Sequence, residues 1–542
     1  MIKNYLSVFA VGVGLSVSVN AQQVHHVNAN ALGVADGASW VNAYTDLQDA
    51  LAAAQPQDQI WVAAGVYKPT ATTDTTASFD IPDSVEVYGG FNGTELQIGQ
   101  RDWETNLTIL SGDIGVEQDS LDNVTNVVSI ENGQSEATRV DGFIVEHGFG
   151  YNGQNSPREY NTGGGIRVHG ASPVLANLII RYNAAMYGGG LSIRSNSYPH
   201  VSNVELHHNF AKWGSGVWVG DISKSTEKTV LLEEINSHDQ LSQGAYFKDA
   251  YSYNLKNSQF RNNSVGVELY RPNGGDISKV LVANNGRGFY VRISSMPSNG
   301  ESVLFKQVIA ANNTTDQLLY NSSSDANGSI KVYNSTFYGM NSLSVSVRDS
   351  SKAQFWNCIV EGTKNISEED GTNDSPLFYN SVFDEILTLE GDSNVFDATD
   401  NFEDPENGNF NIRNTSQAIN AGTLSVLPLI DLEDINGNER KQSTSIDAGA
   451  VESSYTMVAV GFADENQIDV VDVFPSPFAT SCTVNSIAGE FVNVSVFDTQ
   501  GKLVESYQGI QNVEVLANSK QGVFVIQVSN DNGINSYKVI KE

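Results

Sequence analysis

Six short segments in the middle of the chain present Arg, Lys, His, Tyr and Trp side chains at repeated positions. The segments are GIRVH, GLSIR, GVWVG, GAYFK, GVELY and GFYVR, and they begin at Gly165, Gly190, Gly216, Gly244, Gly266 and Gly288. Their third residues form one column: Arg167, Ser192, Trp218, Tyr246, Glu268 and Tyr290. Their fifth residues form a second column: His169, Arg194, Gly220, Lys248, Tyr270 and Arg292. Aromatic rings can stack on sugar rings, and Arg and Lys can bind carboxylate or sulfate groups.

The two columns together, which we call the strip, are enriched in side chains that bind acidic sugars. Four of the twelve residues are Arg or Lys, whereas 30 Lys and Arg residues among 542 would give about 0.7. If the segments stack at the ~4.8 Å strand spacing, the strip is ~24 Å long, which suits several units of an extended polymer. We therefore predict that the strip binds an acidic polysaccharide. The predicted ligand-binding residues are Arg167, His169, Arg194, Trp218, Tyr246, Lys248, Tyr270, Tyr290 and Arg292.

A purely structural role for the strip is the alternative. Strands favour aromatic residues in any case, and Arg or Lys on neighbouring segments can pair with Glu268 or stack on Tyr rings. The formal net charge of −33 makes nucleic acids and anionic membrane surfaces poor partners for the whole molecule. Salt screens electrostatic interactions beyond about 8 Å, however, so a ligand in contact with the strip would interact mainly with its local positive charge.

A polysaccharide lyase is a second functional hypothesis. A lyase that acts on a uronate neutralises the carboxylate and removes the adjacent proton. Lys248, Tyr270 and Arg292, on three successive segments, could divide these tasks. A glycoside hydrolase needs two facing carboxylates, and the strip offers only Glu268. Ca²⁺ could assist a lyase, but no sequence motif supports it, and we predict neither a metal nor another cofactor.

The elements that position the strip are short parallel strands. The Gly-led segments recur at spacings of 25, 26, 28, 22 and 22 residues, about the length of one coil of a β-helix. Their second and fourth residues must face the same way in a strand, and all twelve are apolar. A second apolar strand precedes each glycine and ends on Asn183, Asn209, Asn284 or Asn312. We predict that these Asn residues stack at one corner, since Asn tolerates left-handed backbone and bonds its own main chain.

The open end of such a coil needs a cap, because unpaired strand edges invite aggregation. The segment Thr45 to Ala54 places Leu47, Ala50, Leu51 and Ala54 on one face of a predicted helix. The fold class that we predict is all-β: a right-handed parallel β-helix with an N-terminal helical cap, followed by a small C-terminal β-sandwich.

Motifs at both ends of residues 30 to 452 resemble those of the pectate-lyase-like right-handed β-helix proteins secreted by Bacteroidetes-type bacteria. They are DGASWVNAYTDLQDAL, QIWVAAGVYKPT, VYGGFNGTE and RDWETNLTILSGD near the start, and AINAG, DINGNERK and IDAGAVE at the close. The resemblance implies the fold and use outside the cell. The family includes polysaccharide-active enzymes, adhesins and proteins of unknown role, so it implies no single activity.

The last part of the chain resembles the type A C-terminal sorting domain of type IX secretion. The matching elements are Pro475, Ser476 and Pro477, then Gly501, Lys502 and Leu503, then Gly522, Val523 and Phe524, and finally Lys538 to Lys541. Ser476 replaces the usual Asn, and Phe524 the usual Tyr. The resemblance implies a partner, the type IX secretion machinery, and removal of the domain after passage across the outer membrane, with the body released or attached to the cell surface.

The start of the chain is typical of a signal peptide cleaved after Ala21, because an apolar stretch is followed by small residues. The predicted domains are a signal peptide (1–21), a cap with the first coils (22–125), the β-helix (126–452), a linker (453–467) and the sorting domain (468–542). No segment approaches the roughly 20 apolar residues of a membrane helix. We expect a secreted or surface-attached protein.

Three other groups of residues carry weaker signals. His207 and His208 are predicted to face opposite ways as strand neighbours, and so not to share a metal. His25 and His26 follow the predicted cleavage site, where fraying is expected. DLEDINGNE, from Asp431, lacks the spacing of an EF-hand, and a closing turn is predicted there.

Overall fold

The computed structural model describes residues 22–117, 119–133, 135–151, 162–293, 302–322, 329–347, 352–368, 375–440, 445–453, 471–474, 479–486, 492–498, 502–530 and 533–541. They form two compact units, one up to Ser453 and one from Ser454. Within those ranges, no helix is long and apolar enough to cross a membrane. The predicted signal peptide, most of the predicted linker, and Pro475, Ser476, Pro477 and Gly501 lie outside the described residues.

The Gly-led segments lie in one parallel sheet, which we call the Gly-led sheet. Its strands are Phe79–Asp80, Val128–Glu131, Ile166–His169, Leu191–Arg194, Val217–Ile222, Gln243–Ala250, Val265–Tyr270, Arg287–Ile293, Leu318–Ser322, Leu343–Val347 and Lys364–Glu368. The twelve apolar residues of the pattern all point inward and are at most 1% exposed. Burying each large one contributes about 1.5–3 kcal/mol, so this alternation holds the sheet in one register.

A second parallel sheet, which we call the bent sheet, forms the rest of the coil. Its strands are Val24–Val27, Gln59–Ala63, Gly65–Tyr67, Glu86–Phe91, Thr108–Ser111, Arg139–Asp141, Ile144–Glu146, Val174–Arg181, His200–His207, Val230–His238, Tyr253–Arg261, Asp276–Ala283, Ser302–Lys306, Ile309–Ala311, Ser329–Tyr333, Thr336–Tyr338, Lys352–Trp356, Ile359–Glu361, Leu377–Tyr379, Val382–Phe383 and Glu390–Asp392. Left-handed residues inside its long strands, such as Asn203 and Asn257, both with φ of 51°, turn the chain. One continuous apolar core fills the right-handed parallel β-helix.

The α-helix Leu47–Ala53 caps the first coils. Leu47, Ala50, Leu51 and Ala54 are all buried, which confirms the predicted face. The helix begins two residues later than predicted, because the side chain of Asp46 accepts the N–H of Gln48 and so acts as its N-cap. Short 3₁₀ turns occur at Ile98–Gln100, Ser120–Asp122, Pro405–Asn407 and Leu424–Leu429.

The expected fraying at His25 and His26 is wrong. Their strand pairs with Gln59–Ala63, and His25 is buried with its Nε2 3.1 Å from Asp58 Oδ2. His26 packs edge-on against Trp40 at 4.6 Å between ring centres. Strand pairing and these two contacts fix the first described residues of the chain.

A line of buried amide side chains runs along one corner of the β-helix. It consists of Asn183, Asn209, Gln240, Asn263, Asn285 and Asn313. From Asn209 onward, each side-chain oxygen accepts the backbone N–H of the member one coil earlier, as in Asn209 Oδ1 with Asn183 N (3.0 Å) and Asn313 Oδ1 with Asn285 N (2.9 Å). The line therefore satisfies amide groups that each turn would otherwise bury without a partner.

The predicted Asn stack is wrong by one residue at two of its four positions. Asn284 and Asn312 are not the buried amides but the residues before them, with left-handed φ values of 57° and 54°. Tyr182 and His208 take the same conformation before Asn183 and Asn209. The turn thus needs a left-handed residue followed by an amide, and Asn fills both positions where the sequence reads Asn-Asn.

Two successive coils hold an additional parallel pair of strands, Ala184–Tyr187 and Phe210–Trp213. Both lie between a buried Asn and the next Gly-led strand. In the shorter coils no such strand intervenes, because Val265–Tyr270 and Arg287–Ile293 begin two residues after Asn263 and Asn285. The length of the segment between the buried amide and the next Gly-led strand therefore decides which part of the strip has a strand pair at its side.

The end of the first unit folds back along the bent sheet. It contains the antiparallel pair Phe402–Asp404 and Asn409–Ile412, and it packs apolar residues such as Val451 against Ile309 of the bent sheet. Asp434 is buried and accepts the N–H groups of Asn436, Asn438 and Glu452. These bonds confirm that DLEDINGNE forms a closing turn.

The second unit is built from two antiparallel sheets around its own core. One contains Val471–Phe474, Cys482–Ser486 and Asn512–Val515, and the other Val492–Asp498, Leu503–Ile510, Gly522–Asn530 and Gly533–Lys541. Val484 from the first sheet and Ile526 from the second share that core. This is the predicted small β-sandwich.

Candidate functional site

The strip exists with the predicted register. In the first column each residue is paired with the next coil, so Trp218 pairs with Tyr246 and Glu268 with Tyr290. In the second column Lys248 pairs with Tyr270, and Tyr270 with Arg292. The twelve residues therefore lie on one face, because the alternation that turns the apolar residues inward turns these residues outward.

Only part of this face is open to solvent, and here the expectation of a continuous exposed strip is wrong. Ser192, Arg194, Trp218, Tyr246 and Glu268 are each at most 9% exposed. The ring of Trp218 packs against Tyr187, from the additional strand pair, at 5.3 Å between ring centres. It also lies over Gly220, where a Cβ atom would come within 2.4 Å of the indole. Trp218 and Tyr246 consequently offer little ring surface for a sugar, and the burial of Tyr246 raises its pKa.

The open part of the strip surrounds Tyr270 and Tyr290. The guanidinium of Arg292 lies 4.6 Å from the ring centre of Tyr270 and 4.9 Å from that of Tyr290. Arg287 covers Tyr290 at 4.6 Å, and Arg271 approaches Tyr270 at 5.1 Å. Rings and guanidiniums thus form one patch, in which cation–π contacts hold the side chains in place. We call these five residues, together with Lys248, the Tyr–Arg patch.

Sequence reasoning missed Arg271 and Arg287. A signal for both was present, because Arg271 directly follows Tyr270 and Arg287 directly precedes Gly288. Both residues lie just outside the five-residue Gly-led segments, so the strand alternation of those segments does not include them. Arg271 has a left-handed φ of 51°, and this turn lets it reach the same patch as Tyr270.

The cations of the strip, and Arg271 beside it, have acidic partners, as a purely structural role for the strip would predict. Arg167 bonds Glu131, Arg292 bonds the buried Glu268, and Arg271 bonds Asp249. Lys248 lies 4.0 Å from Asp249, and Arg194 lies 3.7 Å from Asp221. Burial lowers the pKa of Arg292, but the charge and hydrogen bond of Glu268, together with Tyr290 and Tyr246, outweigh burial and raise it, so Arg292 stays charged.

The remaining predicted residues lie at the first coil of the strip. Arg167 Nη2 is 3.1 Å from His169 Nδ1, and both side chains are partly exposed. They belong to the same columns as the Tyr–Arg patch but stand three or more coils from it, with the covered residues between them. The structure therefore separates the predicted site into two open ends rather than one surface.

The prediction that His207 and His208 face opposite ways is wrong. Their Nδ1 atoms are 2.8 Å apart, because His208 adopts a left-handed φ of 54° just after its strand ends. The ring of His238, one coil further, stacks on His207 at 5.3 Å. Among the described residues, no group of three or more His, Cys, Asp and Glu is placed to hold a metal ion.

Comparisons with solved structures return proteins that are distant in sequence. Pectate lyase Pel9A is 16% identical with a TM-score of 0.46, covering 80% of this chain and 98% of that one. A rhamnogalacturonan lyase is 12% identical with a TM-score of 0.41, covering 70% and 90%. XylC in complex with xylose is 11% identical with a TM-score of 0.37, covering 95% and 100%. The sequence matches no curated protein.

The tail gives a specific match. Residues 472–542 fit the family model of the secretion system C-terminal sorting domain. The segment contains Lys502, Leu503, Gly522 and the terminal Lys538 to Lys541 on which the resemblance was based. The chain therefore carries a type IX secretion sorting domain, and the protein is exported from the cell or displayed on its surface.

Proposed function

We propose that the β-helix binds an acidic polysaccharide outside the cell through the Tyr–Arg patch. The observation that carries this proposal is the placement of Arg292 between the rings of Tyr270 and Tyr290, at 4.6 and 4.9 Å. Two partly exposed rings on neighbouring coils match the repeat of an extended sugar chain, since coils are spaced ~4.8 Å apart. The guanidiniums beside them retain N–H donors for a ligand carboxylate or sulfate, because each Arg carries five.

The acidic partners of these cations do not prevent such binding. Arg292 and Arg271 each use one side of the guanidinium for Glu268 and Asp249, and such pairs hold the side chains in a preformed geometry. A preformed site loses less side-chain entropy when the ligand binds. Affinity is nonetheless expected to be moderate and sensitive to salt.

A polysaccharide lyase is the second candidate function, favoured by the alignment of Lys248, Tyr270 and Arg292 at one register on three coils. In this reaction Arg292 would bind the uronate carboxylate, and Lys248 or Tyr270 would take the proton from the carbon next to it. The bond between the neighbouring carbon and the glycosidic oxygen would break, a carbon–carbon double bond would form, and the leaving oxygen would gain a proton. Absorbance from the unsaturated ends tests this directly, and its absence on every acidic polymer that binds would leave the protein a binder.

The binding proposal is tested with the double variant Lys248→Gln/Tyr270→Ala, which leaves the contact between Arg292 and Glu268 intact. We expect its affinity for polygalacturonate, alginate or a sulfated glycan to fall about tenfold or more in affinity electrophoresis, since the variant loses a charged hydrogen bond and the ring that supports Arg271 and Arg292. Lys228→Gln, an exposed cation elsewhere on the β-helix, is the matched control. Equal retention of the double variant and the control on every acidic polymer would overturn the proposal.

We further propose that export removes both ends of the chain, the signal peptide after Ala21 and the sorting domain at residues 468–542. The β-helix unit is then released or attached to the cell surface. Intact-mass measurement of the exported protein tests the two cleavages. Fractionation of cells and medium separates release from attachment.

A further inference from the structure

A groove of about 850 Å³ lies on the bent sheet, on another face of the β-helix than the strip. One wall comes from the left-handed corner of three successive coils, where Glu234, Asn257 and Lys279 have φ values of 55°, 51° and 52°. The opposite wall comes from the returning segment, at Gly408–Asn411 and Ile435–Asn438. The volume falls within the range of about 300–1,000 Å³ of small-molecule sites in proteins.

The returning segment is held firmly against the sheet, so the groove is preformed. Lys279 Nζ lies 3.7 Å from Asp431 and 3.8 Å from Glu433. Gln307 donates its side-chain N–H to the backbone oxygen atoms of the same two residues. Asp434, buried behind them, ties the turn together. These contacts join residues that are more than 120 positions apart in sequence.

The lining of the groove combines an apolar floor with amide side chains. The floor contains Leu281, Ile309, Phe410, Ile435 and Val451, most of which belong to one buried cluster. Six amides surround it: Asn257, Gln259, Asn409, Asn411, Asn436 and Asn438. Each amide carries two N–H donors and a carbonyl acceptor. Such groups suit hydroxyls, which both donate and accept, while the floor suits C–H faces.

The charge of the groove argues against an anionic ligand. Among its described lining residues the one cation is Lys279, which already contacts two carboxylates. Glu234 is exposed at the same wall. With Lys256, which also lies 3.7 Å from Asp431, the groove and its rim hold two cations and three carboxylates, so a uronate or sulfate would meet net negative charge here.

We infer that this groove is a second carbohydrate site, which binds an uncharged oligosaccharide or an uncharged stretch of a polysaccharide. Hydroxyl groups pair with the amides of Gln259, Asn411 and Asn436, and a sugar face packs on the apolar floor. The inference does not depend on the function proposed for the strip, because the two sites lie on different sheets and one selects an acidic ligand whereas the other selects an uncharged one.

The test is affinity electrophoresis of the full chain in gels that contain galactomannan, xyloglucan, a neutral β-glucan or polygalacturonate. We expect at least one neutral polymer to retard the protein. The triple variant Gln259→Ala/Asn411→Ala/Asn436→Ala should lose about tenfold or more of that affinity, since three amide contacts are removed. All three side chains are exposed, so unfolding midpoints should not change.

Two matched variants separate this result from the binding proposed for the strip. Asn254→Ala removes an exposed amide from the same strand as Gln259 and should retain full retardation in the neutral gels. Lys248→Gln/Tyr270→Ala should also leave neutral retardation unchanged while polygalacturonate retardation falls. The inference is overturned if no neutral polymer retards the protein, or if the triple variant binds the neutral polymer as tightly as the Asn254→Ala control.

Discussion

The guanidinium of Arg292 lies 4.6 Å from the ring centre of Tyr270, one coil earlier, and hydrogen bonds the carboxylate of Glu268 beside it. Glu268 is buried and also accepts a hydrogen bond of 2.7 Å from Gln243 Nε2. One carboxylate thus orients the cation that stands between two tyrosine rings. The strip is therefore an organised surface, held by a buried charge below and by rings at its sides.

Replacing Glu268 by Gln should destabilise the β-helix. The amide keeps the size of the side chain but removes the charge that Arg292 requires, and a lost hydrogen bond to a charged group costs about 1–3 kcal/mol. Urea unfolding followed by circular dichroism measures the change as a lower midpoint. Glu227→Gln, at an exposed position, is the control. Equal urea midpoints for Glu268→Gln and Glu227→Gln would contradict the role of Glu268 in holding Arg292.

Replacing Asn263 by Ala should break the line of buried amides. Its Oδ1 accepts the N–H of Gln240 at 3.1 Å, and its Nδ2 donates to the carbonyl oxygen of Ser237 at 3.0 Å. Both partners would remain buried without a bond, at a cost of about 1–3 kcal/mol each. Hydrogen exchange of the backbone amides in these coils should accelerate, whereas the exposed neighbour Ser264→Ala should leave it unchanged. Slow exchange at Gln240 in the Asn263→Ala variant would refute the role of the line.

The ring of His238 should titrate above the ordinary value of a histidine, and that of His207 below it. Burial lowers the pKa of both, but bonds to Glu205 and Asp239 raise that of His238 overall. The charge of Glu205 raises the pKa of His207, but Asp239 does not contribute to it. The charges of His238, His208 and Arg181 lower the pKa of His207 further. Nuclear magnetic resonance titration of the two rings measures the order, and the reverse order would contradict the geometry.

The raised pKa of His238 also has a consequence for stability. The folded chain binds the His238 proton more tightly than the unfolded chain does. The contribution of His238 to stability is therefore complete below the pKa of the unfolded chain, and it is lost as the pH rises through the pKa of the folded chain. The difference in unfolding midpoint between the parent protein and His238→Gln should therefore shrink as the pH rises from about 6 to about 8. A difference that grows over this range would be inconsistent with the two acidic contacts.

Removing Arg440 should strongly destabilise the closing segment. Its side chain is completely buried, bonds Glu452 at 3.2 Å and donates to the carbonyl oxygen of Gly449 at 2.9 Å. Arg440→Met removes the cation from the buried Glu452 carboxylate, and breaking such a pair costs up to about 3–5 kcal/mol. Burial and Asp447 raise the pKa of Glu452 to about 8, so proton uptake by Glu452 offsets part of this cost. Limited proteolysis near this segment and the urea midpoint measure the effect. Leu432→Ala, at an exposed position nearby, is the control and should unfold at the same urea concentration as the parent protein. An Arg440→Met midpoint equal to that of this control would show that the Arg440–Glu452 pair does not stabilise the segment.

Strand alternation is the reason that much of the fold was predictable from the sequence. The apolar second and fourth residues of each Gly-led segment can face only one way, so the inward set from Ile166 to Val291 followed directly. The sequence predicted that Asn side chains stack at one corner of the coil, but not which Asn of an Asn-Asn pair is buried. Whether Asn284 or Asn285 enters the buried line depends on which residue takes the left-handed turn, and both are Asn.

Exposure along the strip was not predictable, because it depends on neighbours that are distant in the pattern. Trp218 occupies an outward position, yet Tyr187 from the additional strand pair covers it. His207 and His208 meet because one left-handed residue interrupts the alternation. Each exception arises where a local turn or an inserted strand breaks the period of two on which the prediction relied.

By itself, the sequence determined the coil repeat, the apolar interior, the outward columns and the sorting domain, since each is written in local periodicity or in a contiguous motif. Only the tertiary structure decided which outward side chains are open, which acid accompanies each cation, and where a groove forms. Gln259 and Asn411 line the same groove although they are far apart in the chain. The physical reason is that periodicity sets the direction of a side chain, whereas exposure and charge pairing depend on what the folded chain brings beside it.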